Sequence, residues 1–214
     1  MPRGKKKIKL TWAHLKAERN ALERFQLYLP TLQLKQQQLQ MIIGQVRQDY
    51  AEIEADLRAV EAGIDAYEPV LRDRAGIHIT DLSKPAAVHT SAQNMAGVRV
   101  PVLESVSFPE TTYSLFGTPP WVDQALADFR EKSRLTVGLD VVRQQKELLA
   151  RELKKVMQRV NLFEKIIIPE TEENIRRIRI ALGDAMTAAV ARAKIAKAKL
   201  EAREQRRRRG GQAA

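Results

Sequence analysis

The sequence predicts a mostly α-helical fold: a long antiparallel coiled coil of two helices, with a small β-hairpin or irregular connector at one end. Three observations predict it. A heptad repeat occupies the first third of the chain, a second repeat occupies the last part, and a proline- and glycine-rich stretch separates them. The composition agrees, because 29% of the residues are charged and only 5% are aromatic, as in long helices around a thin core.

The first repeat runs from Leu15 to Leu71 in alternating steps of three and four residues. Only Glu18 and Gln36 interrupt its apolar stripe. A spacing that averages about 3.5 residues keeps one narrow seam directed at one partner, whereas a globular helix shows a wider apolar face and ends within about 20 residues. We therefore predict that residues 1–71 form a basic arm followed by the first shaft helix.

The second repeat begins at Leu135 and shifts phase near Pro169. This shift is a stutter, which relaxes the supercoil locally, and the proline should bend the helix. Residues 121–209 are predicted to form the second helix, packed antiparallel on the first so that facing residue numbers add up to about 192. An inter-chain coiled coil is the alternative, although pairing within one chain avoids the concentration cost of association. The predicted seam includes Ile43, Val46, Ile53, Leu57, Leu149, Leu153, Val156, Val160 and Phe163.

Positive charge concentrates at the two ends of the chain. Residues 1–9 carry a net charge of +5 and residues 190–214 one of +7, against +11 for the whole chain. An antiparallel pair brings both ends to one tip, past which the second helix should project from about residue 183. Residues 210–214 are expected to be a disordered tail. A basic tip on a neutral shaft favours an acidic partner surface. The candidate contacts are Lys5, Lys6, Lys7, Arg192, Lys194, Arg206 and Arg207.

The connector, residues 72–120, loses the repeat and holds five of the nine prolines. Two short stretches predict strands, residues 77–80 and 98–102, and together they suggest a small hairpin. The second stretch alternates Val98, Val100 and Val102 with Arg99 and Pro101. Because proline cannot donate to a β-ladder, this strand should lie at an edge.

The sequence lacks the residues and motifs that several kinds of binding or catalytic site require. The chain has no cysteine, which excludes disulfides and thiolate metal sites and fits a reducing compartment. No run of 18 apolar residues is present, and no secretory signal is recognised. There is no Gly-rich phosphate loop and no nucleophile elbow, and the three histidines are dispersed. We therefore expect no catalytic residue, no metal site and no cofactor.

The stretch from Arg159 to Pro169 has the pattern R-V-N-x-x-E-x-x-x-I-P. It resembles the D subunit of the V-type (A/V-type) ATPases, the central rotor shaft. The order of Val100-Pro101-Val102-Leu103, Phe108-Pro109 and Leu115-Phe116-Gly117-Thr118-Pro119 resembles the family's mid-chain segment, and the likeness spans roughly residues 8–205. The residues of the motif are Arg159, Val160, Asn161, Glu164, Ile168 and Pro169.

The resemblance implies a non-catalytic rotor subunit that couples ATP turnover in a peripheral ring to ion transport across the membrane. Its partners would be the catalytic and non-catalytic nucleotide-binding ring subunits, the small F subunit of the central stalk and a socket subunit on the membrane ring. It would be cytoplasmic and peripheral to the membrane, with no direct nucleic-acid contact. Val98, Val100 and Val102 are candidate contacts for the F subunit. The alternative is a basic-tipped coiled-coil protein with a structural or nucleic-acid-binding role.

Overall fold

The computed structural model describes residues 8–71, 78–110 and 117–210, with side chains up to Glu204. Its described part is mostly α-helical with one two-stranded antiparallel sheet, which confirms the predicted fold class. The elements are α1 (Trp12–Ala66), α2 (Glu68–Leu71), α3 (Ile79–Leu82), β1 (Ala87–Met95), β2 (Val98–Ser107), α4 (Trp121–Leu162), a π-helical segment (Phe163–Ile167) and α5 (Ile168–Gly210).

The chain divides into two compact units. The middle unit comprises Leu32–Gln158, and the terminal unit comprises Met1–Thr31 together with Arg159–Ala214. Each unit therefore contains a part of α1 and a part of the C-terminal helical region.

Within the middle unit, α1 and α4 pack antiparallel. The Glu61 carboxylate accepts from Lys132 Nζ at 2.9 Å, the Lys146 ammonium lies 5.3 Å from the centre of the Tyr50 ring, and Lys35 Nζ lies 3.6 Å from Glu152. Residue numbers rise along α1 as they fall along α4. These pairs reproduce the predicted register to within roughly one helical turn.

In the terminal unit, the start of α1 also packs antiparallel to the C-terminal helical region. Leu15 is buried in an apolar cluster with Ile175, Ile178 and Leu182, against which Leu22 also packs. The rings of Phe25 and Phe163 meet edge to face, with centroids 5.6 Å apart. Aromatic pairs prefer this geometry because the positive ring edge faces the negative ring face.

Burial along α1 follows the heptad. Every seam position from Leu15 to Leu71 is buried or half-buried, and Leu39 is completely inaccessible. Large apolar side chains between seam positions, such as Leu27, Leu34 and Met41, are more than half exposed. Spacing, rather than hydrophobicity alone, decides which side chains lie inside.

The connector departs from the prediction at its start. The strand predicted at residues 77–80 is wrong for its described part, because Ile79–Leu82 forms one helical turn closed by Ser83 N–H donating to Ile79 O at 3.0 Å. A run of four residues is too short to separate a strand from a helix by periodicity. Ile77 lies outside the described residues.

The hairpin instead pairs β2 with β1, a strand that the sequence pattern did not indicate. Ala96 and Gly97 form its two-residue turn with φ of 49° and 80°. Positive φ at both central residues is the geometry of a type I′ turn, which matches the twist of the flanking strands. Glycine adopts this conformation freely, whereas Ala96 does so at a steric cost.

The seam generates a stability prediction. Leu149→Ala should lower the free energy of unfolding by about 2–5 kcal/mol, because it opens a cavity at a side chain with no exposed surface. Leu34→Ala is the matched control, since Leu34 is 58% exposed, and it should change stability by less than about 0.5 kcal/mol. Urea unfolding of the isolated chain, followed by circular dichroism, measures both. Equal losses would contradict the assigned seam.

Candidate functional site

The seam residues singled out from the sequence lie on the inner side of the helices. Five of them are less than 10% exposed, and the other four are half-buried. The five are Ile43, Val46, Leu149, Val156 and Val160, and the half-buried four are Ile53, Leu57, Leu153 and Phe163. Their contribution is to packing and stiffness rather than to chemistry.

The family motif coincides with an irregularity in the helix. Phe163–Ile167 is π-helical, and Ile168 N–H donates to Phe163 O, five residues earlier. Of the motif residues, Val160 is buried and Ile168 half-buried. The remaining motif side chains are exposed, namely Arg159, Asn161, Glu164 and Pro169.

The π segment explains the phase shift of the second repeat. A π turn accommodates one additional residue, so the buried positions Thr171, Ile175 and Ile178 stay on the same side of the helix as Val160. The sequence predicted this shift as a stutter with a bend at Pro169, and the structure accommodates it with a local π turn. Proline lacks an N–H, and its ring clashes with the carbonyl four residues earlier in a regular helix. The wider turn before Pro169 relieves both problems.

Beyond Leu182, no other part of the described chain covers the C-terminal helix. Every residue from Gly183 to Glu204 is exposed, as expected for a helix that extends past its partner. Within this stretch Met186, Val190, Ile195 and Leu200 each expose more than half of their surface. A monomeric soluble protein seldom leaves so many large apolar side chains in water along one helix, so the stretch has the character of an interface.

The basic tip residues are only partly described. Arg192 and Lys194 are exposed on the uncovered stretch. Lys5, Lys6 and Lys7 lie outside the described residues, as do the side chains of Arg206 and Arg207 and the tail beyond Gly210. Backbone helix continues to Gly210.

The three connector valines do not form a free surface. Val100 is 1% exposed, and Val98 and Val102 are half-buried. Val100 therefore packs inside the chain, whereas Val98 and Val102 keep part of their surface accessible. The accessible strand of the hairpin is β1, seven of whose nine residues are exposed.

Polar contacts fix the hairpin along α4. Gln145, itself 7% exposed, donates from Nε2 to Pro101 O at 2.6 Å. Arg130 donates to Leu82 O at 3.2 Å and to Pro109 O at 2.7 Å, and its guanidinium lies 5.4 Å from the centre of the Phe108 ring. Sequence reasoning missed both anchors, since a glutamine and an arginine on a helix give no periodic signal.

Two ionisable groups have displaced pKa values with structural causes. Hydrogen bonds from Arg176 and Arg177 lower the pKa of Glu173 to about 2. Burial, and then the hydrogen bond that Tyr67 donates to Asp128 at 2.7 Å, raise the pKa of the Tyr67 hydroxyl well above its usual value. Both shifts favour the protonation state found at neutral pH, so these groups act as fixed structural contacts.

Within residues 8–71, 78–110 and 117–210, no group of three or more His, Asp or Glu side chains is placed to hold a metal ion. Across those same ranges, no helix combines the length and apolarity needed to cross a lipid bilayer. Two surfaces are candidates for function: the uncovered C-terminal stretch and the hairpin.

Comparison with known proteins gives consistent matches. A family model described as the ATP synthase D subunit matches residues 14–198. A V-type ATP synthase D subunit from Borreliella burgdorferi is 37% identical over 194 residues, covering 91% of this chain and 95% of the relative. Proteins of the same name from Chlamydia pneumoniae and Chlamydia felis are 34% and 36% identical, covering 93% and 92% of this chain and 96% of each relative.

The π segment generates a second prediction. Deleting Ile166 alone should lower the free energy of unfolding by about 3 kcal/mol, because Pro169 then falls inside a regular α-helix. Combining the deletion with Pro169→Ala should recover most of that loss, since the seam then continues as an unbroken heptad.

Deleting Lys154 is the control. It also removes one residue from the helix and moves Val156 and Val160 off the seam, but it does not involve a proline. It should cost about 3 kcal/mol or more, and Pro169→Ala should not rescue it. Chemical denaturation of the isolated chains measures all four variants. A double variant no more stable than the Ile166 deletion would contradict the coupling of the π turn to Pro169.

Proposed function

The chain belongs to the D-subunit family of ATP synthases and is a central-stalk component of a V-type rotary ATPase, and from this premise we propose that it couples nucleotide turnover to ion transport as a rotating shaft. The observation that supports the shaft role is antiparallel packing of two helices in each compact unit. Two helices joined along a seam resist twisting better than one, because twisting must separate buried side chains that each contribute roughly 1.5–3 kcal/mol.

The contribution of this chain to catalysis is mechanical. It is a structural subunit of an ATPase complex. We place nucleotide binding and hydrolysis in the peripheral ring of catalytic and non-catalytic subunits. A single asymmetric shaft contacts the sites of a symmetric ring unequally, which gives those sites different conformations at each shaft angle.

The proposed partners follow the distribution of exposed surface. The uncovered stretch from Gly183 onward, with the basic tip, enters the ring, where its apolar side chains are covered and its cations meet acidic groups. The hairpin region contacts the small F subunit, and a socket subunit on the membrane ring completes the connection. Because Val100 is buried, contact with the F subunit uses exposed hairpin residues in its place. The chain is cytoplasmic and peripheral to the membrane in this assignment.

Reconstitution tests the assignment to the complex. The chain should co-purify with a complex that hydrolyses ATP, and a complex lacking it should lose ATP-driven ion transport. A chain that purifies alone, or that binds DNA with a steep salt dependence, would contradict the rotor role and favour the nucleic-acid alternative.

Charge reversal tests the contact of the tip with the ring. Arg192→Glu with Lys194→Glu should weaken association with the ring by at least about tenfold, because two carboxylates then face acidic groups as like charges. Lys16→Glu with Arg19→Glu, on exposed positions of α1, changes the net charge equally and is the control. Binding to the isolated ring at several salt concentrations measures both. Equal losses in the two variants would show that net charge, and not the tip, attracts the ring.

A further inference from the structure

The helix α4 meets the hairpin at positions seven residues apart. Gly138, Gln145 and Glu152 follow one another along a single column of the helix surface. At the first position, a Cβ added to Gly138 would lie 3.9 Å from Leu103 Cδ2, so the missing side chain lets β2 lie close to the helix. At the second position, Gln145 donates to Pro101 O at 2.6 Å. The strand is therefore attached to α4 along its length rather than at one point.

The third position of the column meets the turn of the hairpin through Lys35. Lys35 Nζ lies 3.6 Å from Glu152, and a Cβ added to Gly97 would lie 3.7 Å from the same nitrogen. From Gly138 to Glu152 the helix rises by about 21 Å. From Leu103 to Gly97 an extended strand covers about 20 Å. Because the two lengths agree, the hairpin lies lengthwise along α4.

Arg130 holds the other end of the hairpin. Its guanidinium donates to Leu82 O at 3.2 Å and to Pro109 O at 2.7 Å, and it lies 5.4 Å from the centre of the Phe108 ring. Leu82 and Pro109 flank residues 83–108, so one side chain holds the chain where it enters and where it leaves the hairpin. A planar guanidinium suits this task, because it carries several donors in a rigid fork.

The hydrogen bond of Gln145 is costly to lose. Gln145 is 7% exposed, and Pro101 is half-buried. Removing the amide leaves a partly buried carbonyl without this donor, and an unsatisfied buried group costs more free energy than a hydrogen bond contributes when it is made. Gln145 therefore keeps detachment of the hairpin from α4 rare.

We propose that Gln145 and Arg130 are positioning residues that fix the hairpin on α4, and that this fixed position sets how many ions the complex moves for each ATP hydrolysed. This inference rests on the proposed function, in which the hairpin region contacts the F subunit. Force between the shaft and that subunit then passes through the hairpin. A hairpin that swings on α4 yields before it transmits force, so part of each rotation is lost.

Thiol labelling of the isolated full-length chain tests the two anchors. Val100 is 1% exposed, so a cysteine placed there by Val100→Cys reacts when the hairpin opens from the helices, and the chain has no other cysteine. Adding Gln145→Leu should raise the labelling rate by at least about tenfold, the change expected for one lost hydrogen bond to a buried group. Gln144→Leu is the matched control, because Gln144 is exposed on the same helix, and it should leave the rate unchanged.

Ion transport by the reconstituted complex tests the consequence. Gln145→Leu and Arg130→Lys should each lower the number of ions moved per ATP, while the complex still assembles and hydrolyses ATP. Lysine keeps the charge of Arg130 but lacks the fork that reaches two carbonyls. Arg151→Lys is the control for the second variant, because Arg151 is exposed and pairs with Glu147 on its own helix, and it should not change the ratio.

Cross-linking separates the position of the hairpin from any other effect of Gln145. Gly138→Cys with Leu103→Cys places two thiols at a contact between α4 and β2. Joining them with a short thiol cross-linker should restore the ion-to-ATP ratio of the Gln145→Leu complex. The same variant without the cross-linker should stay uncoupled.

The outcomes separate this inference from the function on which it rests. Faster labelling with an unchanged ion-to-ATP ratio would overturn the proposal and leave the rotor assignment intact. Unchanged labelling in both Gln145→Leu and Arg130→Lys would also overturn it, because these side chains would then not hold the hairpin. A chain that joins no ATPase complex would contradict the proposed function as well.

Discussion

The structure depends on the apolar seam between α1 and the C-terminal helices. Charged residues make up 29% of the chain, and helix propensity alone does not hold two such helices together. Leu15 and Leu39 on α1 and Leu149 on α4 are nearly or completely inaccessible, because alternating three- and four-residue steps place each of them on the apolar stripe of its own helix. Ion pairs such as Lys132 with Glu61 are partly exposed and add little to stability, although they agree with the direction and register of the pairing.

Two local features, the π segment and the hairpin, depart from a regular two-helix coiled coil. The π segment takes up one residue that a strict heptad cannot accommodate, and it does so directly before Pro169. The connector turns back as a hairpin, and hydrogen bonds from Gln145 and Arg130 fix the position of this connector relative to α4.

Most of the helical architecture could be predicted from the sequence, since burial along a coiled coil follows spacing. The seam from Leu15 to Leu71 and the register follow from the positions of apolar residues, and the uncovered stretch after Gly183 follows from the greater length of the second helix. The connector could not be predicted in the same way. β1 is polar on both faces, and its turn uses Ala96 at positive φ, so neither alternation nor a glycine-rich turn marks it. The valines of β2 gave a clear pattern, but a pattern shows that a face is apolar and not whether the chain itself or a partner covers it.

Chemical cross-linking tests the intramolecular antiparallel pairing most directly, because the chain has no cysteine to interfere. Glu61→Cys with Lys132→Cys places two thiols where the native side chains meet at 2.9 Å. A short thiol cross-linker should join them within one chain at any protein concentration. Glu61→Cys with Lys154→Cys, about 33 Å further along α4, should give no such product. Cross-links that form only between chains, or equally in both variants, would contradict a shaft made from one folded-back chain.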